Sequence, residues 1–125
     1  MLYAVLCYND EAVTTAWPKE VDDRVMTDLQ AVNARMAAKG KLGPVARLAP
    51  TTRATTLRKT KGKPVVLDGP FAETKEQFLG FYVVDCESIE EATAFVEELT
   101  EANPGPGAYE IRPIDAYFPS ASKVA

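Results

Sequence analysis

The amino-acid sequence predicts an α+β fold, a ferredoxin-like split βαβ arrangement with an inserted β-hairpin. Two apolar, strand-like runs at residues 2–8 and 78–86 are each followed by an amphipathic helical stretch. A threonine-rich, basic hairpin pattern lies between the two halves, and an alternating strand closes the chain. The order is strand, helix, strand, hairpin, strand, helix, strand.

Residues 2–8 are apolar at both parities, with Leu2, Ala4 and Leu6 on one face and Tyr3, Val5 and Cys7 on the other. A strand of this kind expects cover on both sides. Residues 9–17 read as a loop. Trp17-Pro18 then opens a helix, since proline suits a first turn whose N–H groups have no intrahelical partner. Glu20, Asp22 and Asp23 complement the positive end of its dipole. Val21, Val25, Leu29, Val32 and Met36 form one apolar stripe, and Gly40 supplies the left-handed stop. Residues 41–48 read as a short strand whose Gly43-Pro44 step marks a bulge or an edge.

Residues 51–60 and 64–67 make the arms of the hairpin, with Lys61-Gly62-Lys63 at its turn. Its cations, Arg53, Arg58, Lys59, Lys61 and Lys63, either guard a solvated edge against pairing or draw anions to an adjacent cleft. Within 78–86, Gly80 marks a place where a close neighbour excludes side-chain bulk. Ser88 and Glu91 fit a capping box, and Ile89, Ala92, Phe95, Val96 and Leu99 make the buried face of the second helix. Asn103 to Gly107 form a connector. The final strand, 109–117, carries Glu110 and Arg112 on one face, and 118–125 read as a tail after a single domain of 1–117.

Two helices cover only one face of a sheet, yet both long strands are apolar on two. A second copy of the chain, packed sheet to sheet, is the economical cover, so a homodimer is expected.

A chain of 125 residues is expected to form one domain. Fourteen Lys and Arg against eighteen Asp and Glu leave a net charge of −4, which disfavours nucleic acid as a partner. No apolar run approaches the roughly 18 residues of a membrane helix, and no signal-peptide pattern opens the chain, so a cytoplasmic protein without a membrane partner is expected. Histidine is absent and the two cysteines lie in separate apolar runs. No metal and no cofactor are therefore expected, and the cysteines read as small buried hydrophobes.

The stretch from Asp68 to Gln77 sets Asp68, Glu73, Lys75 and Glu76 beside a stiff Gly69-Pro70 step. Asp68 reads either as a turn aspartate accepting backbone N–H groups or as a carboxylate held at a cleft, with Phe71 as a core plug. Glu73, Lys75 and Glu76 fit a single helical turn, either solvated or with Glu73 turned inward, where burial raises a carboxyl pKa into the range of a working acid or base. Lys75 and Arg112 then hold a small anionic molecule, Arg112 by its bidentate fork, unless it merely pairs with Glu110. Tyr8 and Tyr82 either pack or supply phenol donors. The first functional reading is a cofactor-independent enzyme in which Asp68 or Glu73 moves a proton, as in isomerisation or elimination. The alternative is a non-catalytic dimer that binds a ligand or a regulatory protein. A deep pocket with an isolated carboxylate favours the first, and a shallow surface with paired carboxylates the second.

The run from Val66 through Glu76, followed by Gly80-Phe81-Tyr82 and Glu110-Ile111-Arg112-Pro113-Ile114, strongly resembles the YCII-related family, in the branch named for its Asp-Gly-Pro-Phe motif. The resemblance spans residues 1–115 in the same order of elements. It implies a dimeric α+β barrel, with a cleft between sheet and helix or along the dimer seam that is regarded in the family as the active site. Some relatives pair a histidine with an aspartate there, a dyad this chain cannot form. Superfamily relatives that share the barrel include lactone isomerases, dehydrochlorinases and small monooxygenases, so fold alone does not assign the chemistry. Members of the branch are often associated with alternative sigma factors, which implies the regulatory alternative.

Overall fold

The computed structural model describes residues 1–119, so residues 120–125 of the expected tail lie outside the described residues. Strand β1 (Leu2–Asn9) leads into a one-turn helix α1 (Glu11–Thr14) and the long helix α2 (Lys19–Ala38). Strand β2 (Leu42–Arg47), a hairpin of β3 (Thr55–Arg58) and β4 (Val65–Asp68), strand β5 (Gln77–Asp85), helix α3 (Ile89–Ala102) and β6 (Ala108–Pro113) follow. One antiparallel sheet runs in the order β2, β5, β1, β6, and β3 and β4 form a separate ribbon. Hence β1 and β2 are parallel with β5 between them, and β5 and β6 are parallel with β1 between them. This is the split βαβ arrangement expected from the order of elements.

The strands that are apolar on both faces take the two central places, where their backbone groups pair on both edges. On the helix side, Tyr3, Val5, Tyr82 and Val84 meet Val32 and Met36 of α2 and Ala92, Phe95, Val96 and Leu99 of α3. Tyr82 and Phe95 pack edge to face with ring centroids 5.6 Å apart. The opposite face carries Leu6 and Phe81 at its centre and Glu110 and Arg112 on β6, by the alternation of the paired registers. Among the described residues no helix covers it. No helix among them is long and apolar enough to cross a membrane.

Most local signals act as the sequence predicts. Pro18 takes the N-cap of α2, and Gly40 follows its end at φ 71°. Ser88 Oγ accepts the Glu91 N–H at 3.2 Å, but the Glu91 carboxylate turns to Lys41 instead of reaching back to the cap. That ion pair holds the Glu91 carboxyl below its ordinary value. The register of β2 shifts between Leu42 and Val45, at the glycine and proline that announced a bulge.

Four expectations change. Residues 9–17 contain α1, which Asp10 caps by accepting the Ala12 N–H at 2.9 Å. The first hairpin arm shortens to Thr55–Arg58, since Thr51–Arg53 forms a 3-10 turn held by Glu11. Ile89 is 43% exposed, because the first residue after the cap precedes the turn that meets the sheet at Ala92. Strand β6 stops at Pro113, where its partner β1 runs out; the Ile114 N–H makes one last bond to the Leu2 carbonyl at 2.9 Å.

Gly80 is buried, and a Cβ there would collide with the carbonyl oxygen of Ala46. The close approach of β2 to β5 thus requires a residue without a side chain. Gly80→Ala should lower stability by about 1–3 kcal/mol, measured by urea denaturation. Gly62→Ala, with nothing within 4 Å of its added carbon, should stay within about 0.5 kcal/mol of the parent.

Candidate functional site

Between α2 and the sheet lies a cavity of about 540 Å³. Its floor is the helix-facing side of the sheet at Cys7, Tyr82 and Tyr109, and its roof is Val25, Met26, Leu29 and Asn33 of α2. Val96, Thr100 and Asn103 close one side, and α1 with Arg47, Leu48 and Pro50 frames the mouth. The sheet register places the two phenols. Tyr82 stands opposite Val5 and Tyr109 opposite Cys7 in the two ladders of β1, so both share its helix-facing side.

A polar network fixes the mouth. Asn9, only 6% exposed, accepts the Asp10 N–H at 2.8 Å, and Gln77 Oε1 accepts the Glu11 N–H at 2.8 Å. The Glu11 carboxylate accepts both the N–H of Thr51 at 2.8 Å and its hydroxyl at 2.6 Å. These bonds tie α1 to β1, to β5 and to the turn before the hairpin. Gly107, at φ 129°, lets the connector press on the end of β1, since a Cβ there would come within 2.9 Å of the Tyr8 carbonyl oxygen.

The interior is electrically neutral. Burial pushes the Tyr82 hydroxyl and the Cys7 thiol each up to about 12, and it raises Tyr109 as well. The Asn33 amide opposes that rise at Tyr82 and the Asn103 amide at Tyr109, each less strongly than burial drives it. Among the described residues neither buried amide oxygen, Asn33 Oδ1 or Asn103 Oδ1, has a hydrogen-bond partner. The two rim carboxylates are engaged, Glu11 with Thr51 and Asp22 with Arg47 at 3.6 Å. Such a lining can bind and polarise by hydrogen bonds from neutral groups. Among the described residues it holds no isolated carboxylate to move a proton.

The structure divides the residues singled out in the sequence. Tyr8 and Tyr82 border the cavity. Asp68, Glu73 and Lys75 are exposed on β4 and the loop after it, away from the cavity lining, and Arg112 lies on the other face of the sheet. Asp68 closes β4 opposite Thr55, and among the described residues its carboxylate accepts no hydrogen bond. The loop is held instead by the Gly69 N–H on Ala54 O at 2.7 Å and the Thr56 hydroxyl on Gly69 O at 2.8 Å. Residues 71–76 form bends and no helical turn. Phe71, expected as a core plug, is 73% exposed with the Arg58 guanidinium 5.7 Å from its ring centroid. It has no core to plug, because the hairpin stands apart from the main sheet. No ion pair joins Arg112 to Glu110 among the described residues.

The sequence reading missed Asn33 and Asn103 as site residues. For Asn33 a signal existed, since it lies four residues after Leu29 and eight after Val25, a polar side chain on the apolar stripe. Asn103 had none beyond its place in a turn. Cys86 is 1% exposed as a small hydrophobe, whereas Cys7 is half-buried against the cavity, and both are free. Among the described residues no group of three or more His, Cys, Asp or Glu is arranged to hold a metal ion.

A thiol with its pKa raised stays protonated, and only the thiolate attacks. At pH 8 both thiols of the native protein should react with a disulfide reagent at least about a hundredfold more slowly than in the urea-unfolded chain. One equivalent released rapidly from the native protein would contradict the buried, protonated Cys7.

A family model described as the YCII-related domain matches residues 1–116. An uncharacterised protein of Rhizobium meliloti (strain 1021) is 62% identical over 119 residues, which cover 95% of this chain and 96% of that relative. The α+β topology, the motif-bearing loop after β4 and this match along almost the whole chain agree, and the chain belongs to the YCII-related domain family.

Proposed function

We propose that this YCII-related protein binds a small molecule in the cavity between α2 and the sheet, and that a second copy of the chain covers the open sheet face. The observation that carries the first part is a roomy cavity holding two buried amide oxygens without partners. Buried polar atoms are rarely left unpaired, and a ligand is one way to pair them. The volume of about 540 Å³ lies within the usual range for small-molecule sites. Binding is favoured over acid–base catalysis inside this cavity, because its phenols and thiol are held protonated and its rim carboxylates are engaged.

Two observations support the second copy. The central strands present Leu6 and Phe81 on a face that no helix among the described residues covers. The hairpin and the loop after it also expose Leu57, Val66, Leu67 and Phe71, at 49–73%, more apolar surface than a free loop normally offers. Arg112 and Glu110 face the same side as Leu6 and Phe81. An enzyme built on Asp68, Glu73 and Arg112 needs that partner to enclose them, and the sheet-to-sheet dimer is where such a second reading lives.

Screening the purified protein by thermal shift should find ligands that raise its melting temperature. A ligand at 100 times its Kd adds about 2.7 kcal/mol to the native state. Asp68→Asn should leave the affinity of those ligands within about twofold, whereas a tenfold loss would move the site to the loop. Light scattering coupled to gel filtration should give twice the chain mass at micromolar concentration, and a monomer would sink the dimer.

A further inference from the structure

We propose that the cavity takes an organic cation, an apolar or aromatic molecule ending in a protonated amine, with the ammonium at the mouth beside Glu11 and the body against the sheet. This inference rests on the reading of the cavity as a binding site and goes on to name the class of its ligand.

The charges around the cavity do not balance. Its lining includes two carboxylates, Glu11 and Asp22, against one guanidinium, Arg47. Arg47 is already committed, with Nη2 3.6 Å from Asp22 Oδ1 and Nη1 3.4 Å from Met26 Sδ. Glu11 differs, because both of its hydrogen bonds come from Thr51, which carries no charge. No ion pair among the described residues includes Glu11. An ionised carboxylate offers about four lone-pair sites, and Thr51 occupies only two of them. Glu11 is also partly buried, where salt screens a charge less than at an open surface. The mouth therefore holds a carboxylate that is fixed in place, keeps acceptor capacity and has no cation to balance it.

An ammonium group meets these conditions together, since it brings three N–H donors and a positive charge. A hydroxyl or an amide donates the same hydrogen bond but leaves the charge unbalanced. A carboxylate adds negative charge to a mouth whose one arginine is engaged. Trp17, between α1 and α2, also lines the cavity, and an indole is the side chain whose face attracts a cation most strongly. Behind the mouth, Val25, Leu29, Tyr82, Val96 and Tyr109 offer neutral, mostly apolar walls. A charge carried that far in loses its water without a counter-ion, so the body of the ligand points inward and the ammonium stays at Glu11.

Isothermal titration with three matched aromatic probes at about pH 7.5 tests the assignment: 2-naphthylmethylammonium as cation, 2-naphthylmethanol as neutral donor and 2-naphthoate as anion. The amine should bind roughly fivefold or more tightly than the alcohol, with the naphthoate weakest. Raising NaCl from about 20 mM to about 500 mM should reduce the preference for the amine at least about twofold. Glu11→Gln, which keeps an acceptor for Thr51 and removes the charge, should reduce it at least about threefold while the alcohol binds as before. If that variant fails to fold, the salt titration of the parent protein decides. An alcohol bound as tightly as the amine, a naphthoate bound tightest, or a preference undiminished by salt or by a folded Glu11→Gln would overturn the ligand class and leave the cavity reading standing. Failure of all three probes to bind would overturn the cavity reading itself, and the ligand class with it.

Discussion

Strands β1 and β5 pair antiparallel along their whole length at the centre of the sheet, from Leu2 opposite Asp85 to Asn9 opposite Gln77. Their backbone groups need partners on both edges, and the apolar side chains on their helix-facing side must leave water. Everything else is arranged around those two demands. Strands β2 and β6 complete the hydrogen bonding at the edges, and α2 and α3 cover one face. The register shift between Cys7 and Tyr8 sets Gly80 opposite Cys7 and Phe78 opposite Tyr8. Because Gly80 has no side chain, β2 can close against β5, and the cavity beside it keeps its room.

The same ladder decides the character of the site. It sets Tyr82 and Tyr109 on the helix-facing side with Cys7 beside them, where burial keeps all three protonated. The ionised side chains stay at the rim, engaged with Thr51 and Arg47. A cavity so lined is a place for hydrogen bonding by neutral groups. The charged motif between Asp68 and Glu76 belongs to a different part of the surface. Its exposed Phe71 and basic hairpin are features of an outward-facing element.

Much of the fold was legible in the chain because the signals are local. The stripe from Val25 to Met36, the cap at Ser88, the stop at Gly40 and the bulge at Gly43-Pro44 each depend on neighbours a few residues away, and each appears where expected. Helix α1 escaped notice because its four residues are stabilised by Asn9, Gln77 and Thr51, the last two distant in sequence. The end of β6 depended on where β1 begins, which periodicity within β6 cannot reveal.

The site was less legible for the same reason. Composition alone excluded histidine chemistry, and the motif pointed to the family, since both are properties of residue identity and order. Whether Asp68 faced a cleft was a question of tertiary packing, and the hairpin's separation from the main sheet left it exposed. Conversely, Asn33 and Asn103 gained significance only when α2 and the connector brought them to the cavity that Tyr82 and Tyr109 also line. The sequence by itself determined the elements, their order and their likeness to a family, through local propensity and apolar periodicity. Only the tertiary structure decided which polar atoms lost contact with water, because burial is a property of packing between segments far apart in the chain.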